Sequence, residues 1–433
     1  MLKSILSAAA VIAIVLVGGF GTYAWHGSLP VMTPSERPHF DAATVEKGRL
    51  LAAAGYCAAC HTAPGGAPYA GNYPMVTSFG TIYASNITPD PQTGIGDWSP
   101  EAFRRALHEG VDRDGRNLFP AFPYDHFTKM SDADVDAIYA YIMSDIPPVN
   151  EATKQPSIPF PLNIRYLQSG WKLLFVHLGR YQPDPSHSDA WNRGAYLVEG
   201  VSHCGACHTP RNGLGAEERS QQYAGAVIDN WTAPPLTKAN PSSVPWSTAD
   251  FVVYLKTGSD PYHGVASGPM AEVVAGLRQL PDSDIEAIGT YLGSVSGATA
   301  SNPAQIPDVV ASIEAGKPDP AYRDNLGERL YASACASCHY NPSADSLKPE
   351  RPDLGIISAT RLDDPSNLIH TILDGVPAAQ GVHGVAMPAF RTALDDSQIA
   401  AIAAYVRATQ AGLPPWLNLE ATVQSLRAHA GTN

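Results

Sequence analysis

Three segments of the chain repeat one pattern of apolar and polar positions. Each opens with acidic and serine residues and then places apolar residues at i, i+3 and i+7, which is one face of a helix. These apolar positions are Val135, Ile138 and Ile142, then Ile285, Ile288 and Leu292, then Ile399, Ile402 and Val406. The repeat predicts three amphipathic helices, each closing a similar structural unit.

Two further helical stretches precede each closing helix. The earlier stretches lie at residues 44–54, 193–199 and 326–331. The middle stretches begin with helix-capping residues, at Ser99-Pro100, at Ser247 with Asp250, and at Asp364-Pro365. No segment alternates clearly enough to predict a strand, so the pattern predicts an all-α fold of three tandem domains, each built from a few helices.

The N-terminal segment is apolar in a different way. Residues 5–25 carry no charge, and a helix of that length rises roughly 30 Å, about the thickness of a bilayer core. This predicts a transmembrane anchor at 1–26, with a cleaved signal peptide as the alternative. In both cases the remaining chain is expected on the periplasmic side of the inner membrane.

Proline-rich stretches divide the rest of the chain. They predict domains at 44–146, 188–295 and 324–410. The connecting segments are a spacer at 27–43, a linker with an interdomain helix at 147–187, a second linker at 296–323, and a C-terminal tail at 411–433.

Composition narrows the classes of function. Hydrophobic residues make up 44% of the chain, which is enough for packed cores. The net charge is −13, and no basic stripe is present that could neutralise phosphates. The sequence therefore argues against nucleic-acid binding.

All six cysteines lie in three copies of one motif, Cys-x-x-Cys-His. The copies are Cys57, Cys60 and His61; Cys204, Cys207 and His208; and Cys335, Cys338 and His339. Two thiols on one turn can add to the two vinyl groups of a haem, while the adjacent imidazole reaches the iron. No cysteine remains for a disulfide framework, and the histidine in every copy argues against a zinc site or a redox dithiol. The sequence predicts three covalently bound c-type haems.

Each iron then needs a sixth ligand, and methionine is the expected one for electron transfer. Met387 lies 48 residues after His339, and Met270 lies 62 residues after His208. Each is the only methionine between its haem motif and its closing helix, so we predict both as ligands.

The first domain departs from this pattern. The position 61 residues after His61 is Phe122, which cannot bind iron. We predict Met130 as the ligand, with His126, Met75 and an open site as alternatives.

With these motifs the chain resembles the triheme cytochrome c subunits of bacterial membrane-bound dehydrogenases. Longer strings carry the likeness: Phe79-Gly-Thr-Ile-Tyr-Ala-Ser-Asn-Ile-Thr-Pro-Asp, His203-Cys-Gly-Ala-Cys-His-Thr-Pro-Arg-Asn, and His263-Gly-Val-Ala-Ser-Gly-Pro-Met-Ala-Glu-Val-Val. The resemblance implies electron transfer from a catalytic subunit, which is a quinoprotein, a flavoprotein or a molybdenum hydroxylase, to ubiquinone or a terminal oxidase. Many members carry Met where Phe122 stands. The string at 122–127 and the tail with Trp416 look more like the cytochromes that accompany molybdenum hydroxylases.

The leading hypothesis is therefore an electron-transfer subunit that does not itself act on substrate. The alternative is a multihaem redox enzyme of the peroxidase or thiosulfate-oxidising type, with the first haem as an open catalytic iron. A cytochrome subunit of a terminal oxidase is a third hypothesis.

Overall fold

A computed structural model of the protein describes residues 2–297, 305–317, 325–349, 351–377 and 386–429. Part of the predicted linker at 296–323 lies outside these residues. The chain divides into two compact units. The first contains Met1–Gln182 and Gly213–Ala216, and the second contains Pro183–Asn212 and Glu217–Asn433. The first haem motif lies in the first unit, and the other two lie in the second.

Helices dominate the first unit. Its helices are α1 (Leu2–Ala24), α2 (Ala42–Ala54), α3 (Cys57–Cys60), α4 (Pro100–Glu109), α5 (Tyr124–Phe127), α6 (Asp132–Asp145) and α7 (Leu167–Phe175), with a 3₁₀ turn at Pro34–Glu36. Ser99 caps α4 and Ser131 caps α6 by accepting hydrogen bonds from backbone amides of the first turn. The predicted closing helix is therefore confirmed here as α6.

The second unit contains the other two repeats. The first of these has α8 (Asp189–Tyr196), α9 (Gly205–His208), α10 (Thr248–Thr257), α11 (Pro269–Leu277) and α12 (Asp282–Ser296). The other has α13 (Pro307–Ala315), α14 (Leu326–Ala334), α15 (Ala336–His339), α16 (Ser358–Arg361), α17 (Ser366–Asp374), α18 (Asp396–Tyr405) and α19 (Leu419–His429). The remaining helical turns are a π-turn at Leu197–Val201, 3₁₀ turns at Arg219–Gln221 and Ala344–Ser346, and a π-turn at Val406–Gln410.

The all-α prediction was wrong in one respect, because three short antiparallel hairpins are present. They pair β1 (Pro74–Thr77) with β2 (Gly80–Tyr83), β3 (Ala226–Ile228) with β4 (Trp231–Ala233), and β5 (Ser259–Asp260) with β6 (Gly264–Val265). Strands of two to four residues are too short to show alternation. The signal lay in the turns instead: Asp229 and Asn230 have φ of 50° and 62°, as a tight hairpin turn between twisted strands requires.

The predicted transmembrane anchor is also corrected. Among the described residues, no helix meets the length and apolarity needed to cross a membrane. The prediction was based on the absence of charged residues at 5–25. A spanning helix needs about 20 residues that are also predominantly apolar. The second half of α1 contains Gly18, Gly19 and Gly21. Its last turns contact protein, since Ala24 is buried and the Phe20 ring lies beside Gly170 of α7.

The C-terminal tail belongs to the core of the third repeat. Trp416, Leu419, Val423 and Leu426 are buried in one cluster with residues of α17 and α18. Trp416 donates its indole N–H to the Leu362 carbonyl, and the Arg407 guanidinium lies 4.5 Å from the ring centre. The tail therefore completes this domain.

Candidate haem centres

Each Cys-x-x-Cys-His motif occupies a single helical turn. In α3 the amide of His61 donates to the Cys57 carbonyl, so both cysteines and the histidine sit around one turn. The same bond joins His208 to Cys204 and His339 to Cys335. None of the six cysteines forms a disulfide. The turn therefore presents two thiols and one imidazole together, as covalent haem attachment requires.

Burial raises the pKa of four of the six thiols. It raises the pKa of Cys57 and of Cys204 to about 12, and the pKa of Cys207 and of Cys335 to about 11. A redox dithiol needs a lowered thiol pKa, which these four cysteines do not have.

All three imidazoles are oriented in the same way. The Nδ1 atom lies 2.7 Å from the Ser85 carbonyl oxygen in His61, 2.7 Å from that of Pro234 in His208, and 3.1 Å from that of Pro352 in His339. A carbonyl accepts only from N–H, so Nδ1 carries the proton and Nε2 is left for a metal. Burial lowers the pKa of each imidazole, which favours the neutral, ligating form. The three sites therefore fit haem iron.

In all three repeats, the helix that precedes the motif crosses the closing helix at close range. A Cβ atom added at Gly48 of α2 would lie 1.8 Å from the Ala137 carbonyl oxygen of α6 and 2.9 Å from the Cβ of Tyr141. The other two crossings repeat this contact, with Gly194 against Ala287 and Tyr291, and Gly327 against Ala401 and Tyr405. Only glycine allows this approach, and the crossing sets the direction from which the chain enters the haem turn.

Sequence reasoning did not assign a role to these glycines and tyrosines. A signal was present in the sequence. A glycine lies eight to ten residues before the first cysteine of every motif, and in every closing helix a tyrosine lies four residues after the alanine that contacts this glycine. The spacing is longest in the second repeat, where the π-turn at Leu197–Val201 accommodates additional chain before Cys204.

The first two repeats share a hydrogen bond made by the threonine that follows the histidine of the motif. The hydroxyl of Thr62 accepts from the Tyr69 amide, and that of Thr209 accepts from the Tyr223 amide, both at 3.1 Å. Tyr69 and Tyr223 are both in the left-handed region, with φ of 63° and 62°. In the third repeat Tyr340 stands in place of the threonine.

The distal side differs among the repeats. In the second, the Ala266 amide donates to the Gly258 carbonyl, and Met270 follows four residues later in the first turn of α11. In the first, the Leu118 amide donates to the Gly110 carbonyl, and Phe122 follows four residues later. The structure thus places Phe122 at the position of Met270.

In the third repeat the predicted ligand lies in a short bridge. Met387 exchanges backbone hydrogen bonds with Val376, and its side chain packs on the same core as Cys335. The shared core brings Met387 and the haem motif of this repeat to one region.

The candidates for the first iron come from three different places in the domain. Met130 is completely buried directly before α6, His126 is buried in α5, and Met75 is half-buried in β1 opposite Ile82. Phe122 packs against Phe127, with ring centres 5.3 Å apart. Ligation by Met130, Met270 or Met387 stays a prediction.

Two family models match the chain. The model described as Cytochrome c matches residues 45–145, and the model described as Cytochrome C oxidase, cbb3-type, subunit III matches residues 323–406. The first and third repeats are therefore cytochrome c domains. The second repeat has the same motif, imidazole orientation and helix crossing.

Curated relatives match across all three repeats. The chain is 39% identical over 444 residues to the fructose dehydrogenase cytochrome subunit of Gluconobacter japonicus, covering 97% of this chain and 88% of the relative. It is 38% identical over 381 residues to the gluconate 2-dehydrogenase cytochrome c subunit of Pantoea cypripedii, covering 84% of this chain and 85% of the relative.

A further relative is much longer than this chain. It is a nicotinate dehydrogenase subunit of Pseudomonas putida, and it is 44% identical over 411 residues, which is 94% of this chain. The match covers 34% of the relative, so the chain spans about a third of that protein's length.

Proposed function

Because this chain belongs to the family of cytochrome c subunits of dehydrogenases, we propose that it carries electrons away from a catalytic dehydrogenase subunit through three c-type haems. The observation that carries the proposal is a haem turn that occurs three times. In each copy, two thiols and an imidazole bonded to a backbone carbonyl lie on one helical turn, which follows a glycine-dependent helix crossing. A bound haem supplies reversible one-electron chemistry at its iron.

The cysteines, histidines and methionines of these domains have different proposed roles. Cys57, Cys60, Cys204, Cys207, Cys335 and Cys338 would attach the three haems, and His61, His208 and His339 would each give one ligand to an iron. We propose that Met270 and Met387 would give the remaining protein ligand to the second and third irons. A methionine opposite histidine raises the potential and closes the iron to substrate, which suits electron transfer.

For the first iron we retain Met130 as the proposed ligand. It is a fully buried methionine beside the closing helix. His126 and Met75 are the other candidates within the domain.

The catalytic partner that we favour is a molybdenum hydroxylase. The 44% identity to a nicotinate dehydrogenase subunit supports this choice over a quinoprotein or flavoprotein partner. We further propose that electrons leave this subunit for ubiquinone or a terminal oxidase.

We also propose that the haem domains lie on the periplasmic side of the inner membrane. An uncharged N-terminal run after a lysine is typical of exported chains. Protease accessibility of the full chain in intact spheroplasts tests this, and protection from protease would contradict it.

Copurification tests the main proposal. The full chain, carrying a C-terminal affinity tag, is isolated from its native host under mild conditions. Its partners are identified by mass spectrometry, with haem, molybdenum and flavin measured on the same sample. We expect three haems per chain and a catalytic subunit whose substrate reduces the cytochrome. A lone cytochrome that no dehydrogenase substrate reduces would contradict the proposal.

The competing enzyme hypothesis rests on Phe122, which leaves the first iron without the methionine of the second domain. It predicts a high-spin haem that binds cyanide and reacts with peroxide. Cyanide titration of the oxidised holoprotein separates the two hypotheses, since an electron carrier with three six-coordinate irons gives no rapid spectral change.

A further inference from the structure

A cluster of three ionisable side chains lies in the second domain, away from the Cys-x-x-Cys-His turn. Asp250 comes from the first turn of α10, Asp260 from β5, and His263 from the loop between β5 and β6. One ligand atom from each lies within 4.8 Å of the others. The His263 side chain is 0% exposed, and Asp260 is 4% exposed.

The His263 ring is held in a fixed orientation. It stacks on Trp246, with ring centres 3.8 Å apart and an angle of 18°. Its Nδ1 atom lies 3.1 Å from the Ser242 hydroxyl oxygen. With Nδ1–H donating to that oxygen, Nε2 carries a lone pair that faces the two carboxylates.

The Nε2 atom has no hydrogen-bond partner, although it is completely buried. The nearest Asp250 oxygen is 3.6 Å away, which is too long for a hydrogen bond. Two ligands at ~2.1 Å from one ion in tetrahedral geometry are ~3.4 Å apart. The separation therefore fits two ligands of a common ion better than a direct bond.

The two carboxylates of the cluster have backbone amides as their hydrogen-bond donors, and the Ser247 amide donates to Asp250. Among the described residues, no lysine or arginine forms an ion pair with Asp250 or Asp260. Buried carboxylates are costly unless a cation or donors compensate them. Backbone amides of Tyr262 and His263 reach only one oxygen of Asp260.

The first domain provides a matched contrast. Asp112 stands at the position of Asp260, two residues after the glycine that ends the middle helix, and it pairs with Arg116 at 3.0 Å. Ala102 and Gly115 occupy the positions of Asp250 and His263. The same loop is thus balanced by an arginine in the first domain and has no such cation in the second.

We propose that Asp250, Asp260 and His263 bind a divalent transition-metal ion of the Zn²⁺ type. One imidazole and two carboxylates form a mixed nitrogen and oxygen set that suits Zn²⁺ better than Ca²⁺ or Mg²⁺. The Ser242 hydroxyl is the outer partner that fixes the imidazole tautomer. Ser242 and Trp246, which both contact the His263 ring, also line a cleft of about 310 Å³.

The site would join α10 to the loop that leads to Met270, which follows His263 by seven residues. A bound ion would restrict that loop and so hold Met270 in place. This consequence rests on the proposed function, whereas metal binding itself does not.

Metal content of the holoprotein tests the proposal. The full chain carries a tag without histidine, is stripped with EDTA, and is equilibrated with micromolar free Zn²⁺. Zinc per chain is then measured by plasma mass spectrometry, and affinity by competition with a chelating dye. We expect one zinc ion per chain in the wild type.

Three variants and one control locate the ion. His263→Gln and Asp250→Asn remove a ligand and should weaken binding at least about 100-fold, and Ser242→Ala should weaken it about 10–100-fold. His370→Gln is the control, because His370 is also shielded and lies 3.6 Å from the single carboxylate of Asp374. It should bind zinc as the wild type does. Haem content and visible spectra confirm that each variant is folded.

Two results would overturn the proposal. A wild type that takes up no zinc would show that the cluster is not a metal site. Zinc retained equally by the three variants would place the ion elsewhere. Haem counts and reduction by a dehydrogenase substrate are measured separately, so the electron-transfer function can fail or hold independently.

Discussion

The first and second haem domains are alike around the histidine and different on the opposite side. In both, a β-hairpin follows the haem turn, and a threonine hydroxyl accepts a hydrogen bond from a tyrosine amide. In both, a glycine of the helix that precedes the haem turn contacts the closing helix. On the distal side the second domain has Met270 in α11, whereas the first has Phe122 before the short helix α5.

The comparison shows which parts of a cytochrome domain tolerate change. The histidine side is tied to the backbone by contacts that recur, so it keeps one geometry. The proposed second ligand is one side chain, and the two domains differ there, Met270 against Phe122, while their helices are alike. We expect the two sides to respond very differently to mutation.

Loss of haem attachment is the largest effect that we expect. Replacing both cysteines of a motif with serine removes the thioether bonds, so the chain should carry two covalent haems in place of three. The matched variants are Cys57→Ser with Cys60→Ser, and Cys204→Ser with Cys207→Ser. Intact-protein mass and the pyridine haemochrome assay measure the count. Retention of all three haems in either variant would show that its motif is not an attachment site.

An exchange of the distal residues should produce the next largest effect. Met270→Phe should lower the potential of the second haem by roughly 0.1–0.2 V, because axial ligands set potentials over a range of about 0.8 V. Phe122→Met should raise the potential of the first haem only if that iron lacks a strong distal ligand. Spectroelectrochemical titration resolves both. An unchanged first potential would show that this iron already has a strong ligand among Met130, His126 and Met75, whereas an unchanged second potential would exclude Met270.

A substitution at the helix crossing should lower the free energy of unfolding. In Gly194→Ala the new Cβ would lie 2.0 Å from the Ala287 carbonyl oxygen, so the helices must separate. We expect a loss of about 1–3 kcal/mol in the free energy of unfolding. Gly213→Ala is the control, since a Cβ there meets nothing within 4 Å. Guanidinium denaturation followed by circular dichroism measures both, and equal stability of the two variants would argue against the crossing.

The smallest effect that we expect is a pH-dependent change in stability caused by His108 of the first domain. Burial lowers the pKa of His108 to about 4, and the Arg180 guanidinium, which donates to its Nδ1, acts in the same direction. The exposed Lys256 occupies the matching position in the second domain. Because the unfolded chain binds a proton near pH 6.5 and the folded one near 4, stability should fall as the pH drops through this window.

With screening by solvent and by Asp132, we expect this loss to be about 1–2 kcal/mol. His108→Gln should remove that component of the pH dependence, as measured by denaturation at about pH 7 and about pH 4.5. The same slope in wild type and variant would assign the effect to other groups.

The sequence by itself determined the features that depend on neighbouring residues. Covalent attachment needs two cysteines and a histidine on one turn, so the motifs at Cys57, Cys204 and Cys335 could be read directly. The closing helices were equally clear, because a 3.6-residue period places Val135, Ile138 and Ile142 on one buried face. The caps at Ser99 and Ser247 followed from local hydrogen bonding and are confirmed.

Only the tertiary structure decided the contacts made between distant residues. The carbonyls that orient the imidazoles lie 24, 26 and 13 residues after their histidines, on segments without periodicity. The short hairpins, the packing of Trp416 and the meeting of Asp250 with His263 likewise depend on chain folding. Such contacts leave no repeating pattern in the sequence, because each needs one residue at one position.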